Sequence, residues 1–179
     1  MKELLPQAYL IGLIVLLGAA AIVVTRQILR VRRDESILFR LEGTDSGPEA
    51  RDSAALYELA SVQLRKRLYG QAGDNLKRAL KLAVEEKAPP EALALIENAL
   101  GFSLAAQSKY KAATRHYRSA IRAKPDYPVA LNNLAYALEK QGMEDEARST
   151  YIEVLGLDGG NTTARKRLKT LERRAGIDT

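Results

Sequence analysis

The chain has no cysteine and no tryptophan, a single histidine, two phenylalanines and six prolines in 179 residues. Without cysteine there is no disulfide framework, no thiolate metal site and no cysteine nucleophile. One histidine, His116, excludes His-rich metal sites and leaves a Ser-His-Asp triad without support. It sits beside Arg115 and Arg118 and reads as a solvated surface residue. Six prolines and 12 glycines are too few for a collagen-like or broadly disordered chain. No Gly-rich phosphate loop or dinucleotide fingerprint occurs. Glu144-Asp145-Glu146 lacks the spacing of a calcium loop and suits the first turn of a helix instead. The expectation is a protein that is not an enzyme and has no cofactor and no bound metal.

What is present is a 46% apolar fraction, eight tyrosines and a net charge of +6. Residues 1–50 carry six basic and six acidic side chains, and residues 51–179 carry 22 and 16, so the excess lies in the second part.

Between Glu3 and Arg26 lie 22 residues without a charge. As a helix they reach about 33 Å, near the thickness of a hydrocarbon core. The stretch is apolar all round, unlike the one-sided stripe of a soluble helix. A cleaved signal peptide is the rival reading, with Ala19-Ala20-Ala21 as its cleavage site. The weak basic start, the length of the run and the arginines after it favour an uncleaved anchor. Arg26, Arg30, Arg32 and Arg33 flank the span. By the positive-inside rule they place everything after it on the cytoplasmic side. Their contacts are expected with lipid headgroups. Ile37-Leu38-Phe39 and Leu41 extend a helix along the membrane surface, and 43–48 reads as a linker.

A shift of 34 residues superposes two stretches of the remainder. Asn98 falls on Asn132, Leu100 on Leu134, Phe102 on Tyr136, Leu104 on Leu138, Ala113 on Ala147, Tyr117 on Tyr151 and Ala120 on Val154. Leu131, Leu134, Ala135 and Leu138 follow the i, i+3, i+4, i+7 spacing of one helical face. A weaker copy holds Leu56, Leu59, Ala60, Tyr69, Ala72, Leu76 and Ala79. Ala72 and Ala113 are 41 residues apart, seven more than one period. The excess fits 85–91, where Pro89-Pro90 cannot continue a helix, so a longer second helix and then a loop are expected. Tyr110, Tyr117 and Tyr151 occupy packing positions.

With its 34-residue period, the sequence resembles the tetratricopeptide-repeat family. Residues 128–161 carry Leu131, Leu134, Ala135, Leu138, Gly142, Ala147, Tyr151 and Val154 at that family's positions. Residues 94–127 carry Leu100, Gly101, Leu104, Tyr110, Ala113, Tyr117, Ala120 and Pro125, with Glu97 where a large apolar residue is usual. The resemblance implies an all-α fold: an N-terminal transmembrane helix, then a right-handed α-solenoid of three helix pairs and a C-terminal capping helix. The divisions are 1–33 for the anchor with its arginine stop and 34–47 for the juxtamembrane segment and linker. The repeats occupy 48–161, as 53–86, 94–127 and 128–161, and a basic cap and tail fill 162–179. The cap's cations suit an anionic lipid surface, an acidic protein or plain solvation.

The resemblance also implies a concave partner-binding groove. Its inner face carries Tyr57, Ser61 and Arg65 in the first repeat and Asn98, Phe102 and Ala105 in the second. The third contributes Asn132, Asn133, Tyr136 and Lys140. Asn98 with Asn132, and Phe102 with Tyr136, would stack as a ladder of two amides and two rings. Tyr57 and Ser61 stand where chaperone-binding relatives begin their clamp for C-terminal carboxylates, so such tails are disfavoured.

A single span, an arginine stop, three repeats and a basic end together resemble the cyanobacterial and plastid tetratricopeptide factors of photosystem I assembly. The stretches that carry this likeness are Ala130 to Glu139 and Leu171-Glu172-Arg173-Arg174. The resemblance implies a thylakoid membrane protein with its repeats on the stromal or cytoplasmic side. Its partners would be photosystem I subunits or other assembly factors, with membrane lipid contacted through the N-terminal helix and no nucleic acid. The alternative is a bacterial scaffold for another envelope complex, in pilus or cytochrome maturation.

Overall fold

The computed structural model describes residues 12–29, 32 and 52–176. The chain divides into two compact units, 1–45 and 46–179. In the first, helix α1 (Gly12–Leu29) has a mean hydropathy of 2.1 and no buried residue. At 1.5 Å per residue its 18 residues reach about 27 Å, so by length and composition it can cross a bilayer core. Arg26 lies in its last turn, and Arg32 is helical and exposed. Arg30, Arg33 and the expected juxtamembrane and linker segments lie outside the described residues.

The second unit holds α2 (Ser53–Arg65), α3 (Tyr69–Glu85), α4 (Pro90–Ala106), α5 (Tyr110–Ala123), α6 (Pro128–Glu139), α7 (Glu144–Leu157) and α8 (Thr162–Arg174). No strand occurs among the described residues. The helix starts follow local chemistry. Asp52 accepts from Ala55 N at 2.7 Å and Asn161 from Ala164 N at 3.0 Å, each satisfying an orphan donor of the first turn. Pro90 and Pro128 open α4 and α6, where a missing N–H costs nothing.

The turn inside each pair is the same three times. Arg67, Ser108 and Gly142 occupy one repeat position and have φ of 61°, 61° and 75°. Beyond them Leu68 N donates to Gln63 O, Lys109 N to Leu104 O and Met143 N to Leu138 O, at 2.9–3.0 Å. This is a Schellman closure, which needs one left-handed residue just past the helix. Only the third repeat supplies glycine there.

The core repeats with the same period. Ala72, Ala113 and Ala147 are fully buried, as are Ala79, Ala120 and Val154. Between these rows stand Leu76, Tyr117 and Tyr151, equally buried. Gly101 marks the tightest crossing: a Cβ there would lie 2.6 Å from the Tyr117 ring. The hydrophobic clusters draw on α2–α8 alone, so residues 46–179 enclose a complete core of their own.

Each helix packs mainly on its chain neighbours. In addition α2 touches α4 and α4 touches α6, whereas no such packing links α3 to α5 or α5 to α7. The first helices of the pairs are therefore the closer-spaced inner layer of a curved stack. The seven extra residues between the first and second repeats are shared out. Helix α3 has 17 residues against 14 in α5, and α4 has 17 against 12 in α6. The expected loop over 85–91 is thus shorter, because Pro90 starts α4 instead of preceding it. Lys87, with φ 53°, closes α3 by a further left-handed turn.

Candidate functional site

On the inner layer an open cleft of about 270 Å³ lies where α4, α5 and α6 meet. It is lined by Phe102, Ala105, Ala106, Tyr110, Tyr117, Asn133 and Tyr136. Helical spacing places Phe102 and Ala105 on one face of α4, and Asn133 and Tyr136 on the facing side of α6. The alanines leave the space and the rings wall it. Phe102 is 43% exposed and presents its ring to the cleft.

The amide ladder differs from the one the 34-residue shift implies. Asn133 Nδ2 donates to Asn98 Oδ1 at 3.0 Å, and Asn98 Nδ2 donates to the Tyr127 hydroxyl at 3.3 Å. Asn98 thus meets the residue 35 positions on, because adjacent inner helices pack side by side and not in register. Asn132 is half-buried, and its buried Oδ1 has no hydrogen-bond partner.

The ring ladder differs too. Phe102 and Tyr136 line the same cleft, yet each meets a different ring. Tyr69 lies edge-on to Phe102 at 6.4 Å, and Tyr110 edge-on to Tyr136 at 6.4 Å. Tyr110, expected in the core, is half-buried and forms part of the cleft wall. It opens α5, where a side chain can turn toward the inner surface. Tyr117 and Tyr151 are core as expected, each 1% exposed.

One end of the cleft is cationic. Lys140 Nζ lies 5.4 Å and Arg167 Cζ 5.0 Å from the Tyr136 ring centroid, placing two positive charges over its π-face. Arg167 reaches from α8 to Glu139 Oε1 at 3.1 Å. Glu139, with a side chain only 8% exposed, also accepts from the Tyr151 hydroxyl at 3.3 Å. Burial first, and then the Glu139 charge, push the Tyr151 phenol up. Outside the lining, Tyr127 is raised by burial and by Tyr57, against the lowering effect of its bond with Asn98. Lys124 Nζ stands 5.4 Å from the Tyr127 ring centroid.

The structure therefore gathers Asn98, Phe102, Asn133, Tyr136 and Lys140 around one cleft. Tyr57 does not line it; it lies close enough to Tyr127 to raise that phenol. Ser61 is half-buried on α2, Arg65 is exposed at the end of that helix, and neither lines the cleft. Sequence reasoning missed Tyr69, Tyr110, Tyr127 and Arg167. Tyr69 and Tyr110 share one repeat position, 41 residues apart, which the periodicity reads as a packing position; that each meets a ring of the next inner helix shows only in the fold. His116 is not a freely solvated residue: its Nδ1 donates to Glu97 Oε2 at 2.7 Å. Among the described residues no group of three or more His, Asp or Glu residues could hold a metal.

Residues 101–142 match a family model described as TPR repeat, and 128–161 one described as Tetratricopeptide repeat. The chain is 30% identical over 172 residues to "Uncharacterized protein ycf37" of Guillardia theta, covering 96% of this chain and 94% of that one. It is 37% identical over 114 residues to the ycf37 protein of Cyanophora paradoxa, 64% of each chain. It is 32% identical over 169 residues to "Tetratricopeptide repeat domain-containing protein PYG7, chloroplastic" of Arabidopsis thaliana, covering 93% of this chain and 54% of that one. Among solved structures, MamA superposes with a TM-score of 0.67 at 20% identity over 83% of this chain and 76% of that one. The first TPR of Spaghetti (RPAP3) bound to an HSP90 peptide superposes at 0.64, with 17% identity over 70% of this chain and 94% of that one. At these identities the two structures establish the fold alone.

Proposed function

The chain belongs to the family of tetratricopeptide-repeat proteins that includes ycf37 of Guillardia theta, and from that premise we propose that it is a membrane-anchored scaffold for assembly or stabilisation of photosystem I. Helix α1 crosses the thylakoid membrane, and the repeats stand on its stromal or cytoplasmic side. The cleft between α4, α5 and α6 takes a segment of a photosystem I subunit or of another assembly factor.

The observation that carries the binding reading is the cleft itself. Exposed Phe102, the Tyr110–Tyr136 pair and the Asn98–Asn133 pair converge on an open space that the fold does not fill. Apolar walls with a few placed amides are what an extended or helical peptide needs: area for its side chains and partners for its backbone. Support for the photosystem comes from the order of anchor, repeats and basic cap. The chloroplastic name of the Arabidopsis relative agrees with that setting. Support for the orientation comes from the arginines after the span. A tether restricts the search to a layer near the bilayer, so modest affinity suffices.

The decisive experiment is deletion of the protein in a photosynthetic host. Photosystem I should fall while photosystem II stays. An unchanged photosystem I level would reject the assembly role.

A further inference from the structure

The chain's excess positive charge is concentrated in α8. Its 13 residues include six cations, Arg165, Lys166, Arg167, Lys169, Arg173 and Arg174, against one acid, Glu172. Three of the six are used within the fold. Arg167 pairs with Glu139, Arg174 with Glu144, and Arg165 donates to the Gly159 carbonyl. The side chains of Lys166, Lys169 and Arg173 are exposed and carry no ion pair or hydrogen bond to another described residue.

Those three stand at i, i+3 and i+7, within about 60° of one another around the helix. The buried side of α8, Ala164 and Leu171, points the opposite way. The helix is thus held by one face and offers a flat cationic strip about 10 Å long on the other.

We propose that this strip of α8 docks on an anionic lipid surface. Apart from its cations the strip carries only Thr162, with no ring or large apolar side chain. Protein interfaces are built on buried aromatic and apolar anchors, and lysine is depleted from them. Single-stranded nucleic acid is held on stacking aromatics, also missing from this strip. A sheet of lipid headgroups has smeared negative charge and no pockets, so density of cations is all it requires. The choice of lipid rests on the proposed anchoring: with α1 holding the chain at a bilayer, headgroups are the anion nearest to hand. The tetratricopeptide unit would then be fixed at both ends of its chain, which limits how its cleft can turn toward a partner.

Residues 46–179, which carry a complete core and lack α1, allow a test that does not depend on the anchor or on photosystem I. The fragment is co-sedimented with vesicles of phosphatidylcholine, alone or mixed with phosphatidylglycerol. It should bind the mixed vesicles, ignore the neutral ones and be released by salt. Lys166→Ala, Lys169→Ala and Arg173→Ala together should weaken binding at least about tenfold, since each cation near such a surface contributes roughly fivefold. The charge-keeping set Lys166→Arg, Lys169→Arg and Arg173→Lys should bind like the parent. Lys77→Ala, Lys81→Ala and Lys111→Ala, equally exposed but on α3 and α5, should change little. Equal loss from both alanine sets would mean that net charge alone acts, and would overturn the docking site. So would binding indifferent to phosphatidylglycerol. A fragment that ignores anionic vesicles but binds polyglutamate would assign the strip to an acidic protein instead.

Discussion

Tyr110 and Tyr136 meet edge to face, with ring centroids 6.4 Å apart and planes at 79°. Tyr69 and Phe102 repeat the relationship one unit earlier, at 6.4 Å and 72°. In both, a ring at the start of an outer helix supports a ring on the inner helix of the following repeat. Such pairs are worth about 0.5–1.5 kcal/mol beyond their buried area, and they fix the inner ring's orientation without covering its free face. The cleft is therefore preorganised: Phe102 is held by Tyr69 and open to a ligand, while half-buried Tyr136 is held by Tyr110 and carries Lys140 and Arg167 over its ring.

This arrangement sets the first prediction. Phe102→Ala with Tyr136→Ala removes both presented rings and leaves the buried rows untouched. Circular dichroism should remain helical. Capture of photosystem I subunits from native membranes should weaken by roughly 2–4 kcal/mol if the rings are interface anchors. Undiminished capture by the folded double variant would show that the partner binds elsewhere.

Glu97 gives the second. Repeats one and three place Leu56 and Leu131, both buried, at the position that Glu97 holds in repeat two. Its side chain is 15% exposed and accepts from His116, 29% exposed. A half-buried carboxylate held by one hydrogen bond is weak support, because desolvation offsets much of the attraction. Glu97→Leu should thus be neutral or stabilise by about 1 kcal/mol in urea unfolding. His116→Ala should cost about 1–2 kcal/mol, since it strands a carboxylate. A strongly destabilised Glu97→Leu would show that the pair holds α4 to α5.

How far the sequence disclosed this site depends on what carried each signal. Buried rows were legible because Ala72, Ala113 and Ala147, or Tyr117 and Tyr151, answer to one period and one requirement, small or large at a crossing. The family resemblance assigns Phe102 and Tyr136 to the inner face, and both line the cleft. Pairing across helices was not legible. A linear shift aligns Asn98 with Asn132, but which amide faces Asn98 depends on how α4 and α6 pack, and that favours Asn133. Arg167 was unreadable for a different cause. It belongs to the cap, outside the repeat, and reaches Tyr136 and Glu139 only through the docking of α8 on α7. The Glu97–His116 pair was half visible: Glu97 stood out as a departure, but nothing along the chain named its partner.

The shared turn position gives the third prediction. Ser108 and Arg67 sit at φ 61°, where a side chain other than that of glycine, and to a lesser extent asparagine, is strained by about 1–2 kcal/mol. Glycine there relieves the strain but loses roughly 0.5–1 kcal/mol through the greater freedom of the unfolded chain. The first effect exceeds the second. Ser108→Gly and Arg67→Gly should each raise stability by about 0.5–1 kcal/mol, and Gly142→Ala should lower it by about 1 kcal/mol or more. Thermal melts of the three variants of residues 46–179 test the order. A destabilised Ser108→Gly would mean that its side chain contributes something the turn geometry does not reveal.

Alkaline pH gives the last prediction. Burial raises the phenols of Tyr117 and Tyr151 well above their ordinary value of 10.0, with Glu139 adding to the effect at Tyr151. A folded-state value above the unfolded one means that the fold prefers the protonated form. The resulting stability is fully present below the unfolded value and is lost as pH rises past it. Up to pH 9 these two tyrosines should leave stability unchanged. Above about pH 10 each should remove about 1.4 kcal/mol per pH unit, until its folded-state value is reached. Lysines titrate in the same range, so the comparison must be between variants. Tyr117→Phe keeps the ring and deletes the ionisable group, and should flatten the decline above pH 10 by one such increment. Tyr151→Phe should flatten it likewise, but from a lower starting stability, because Glu139 loses the hydroxyl that donates to it. If chemical denaturation from pH 8 to 11 gives parallel curves for the parent and Tyr117→Phe, the Tyr117 phenol ionises without unfolding and is not sealed in the core.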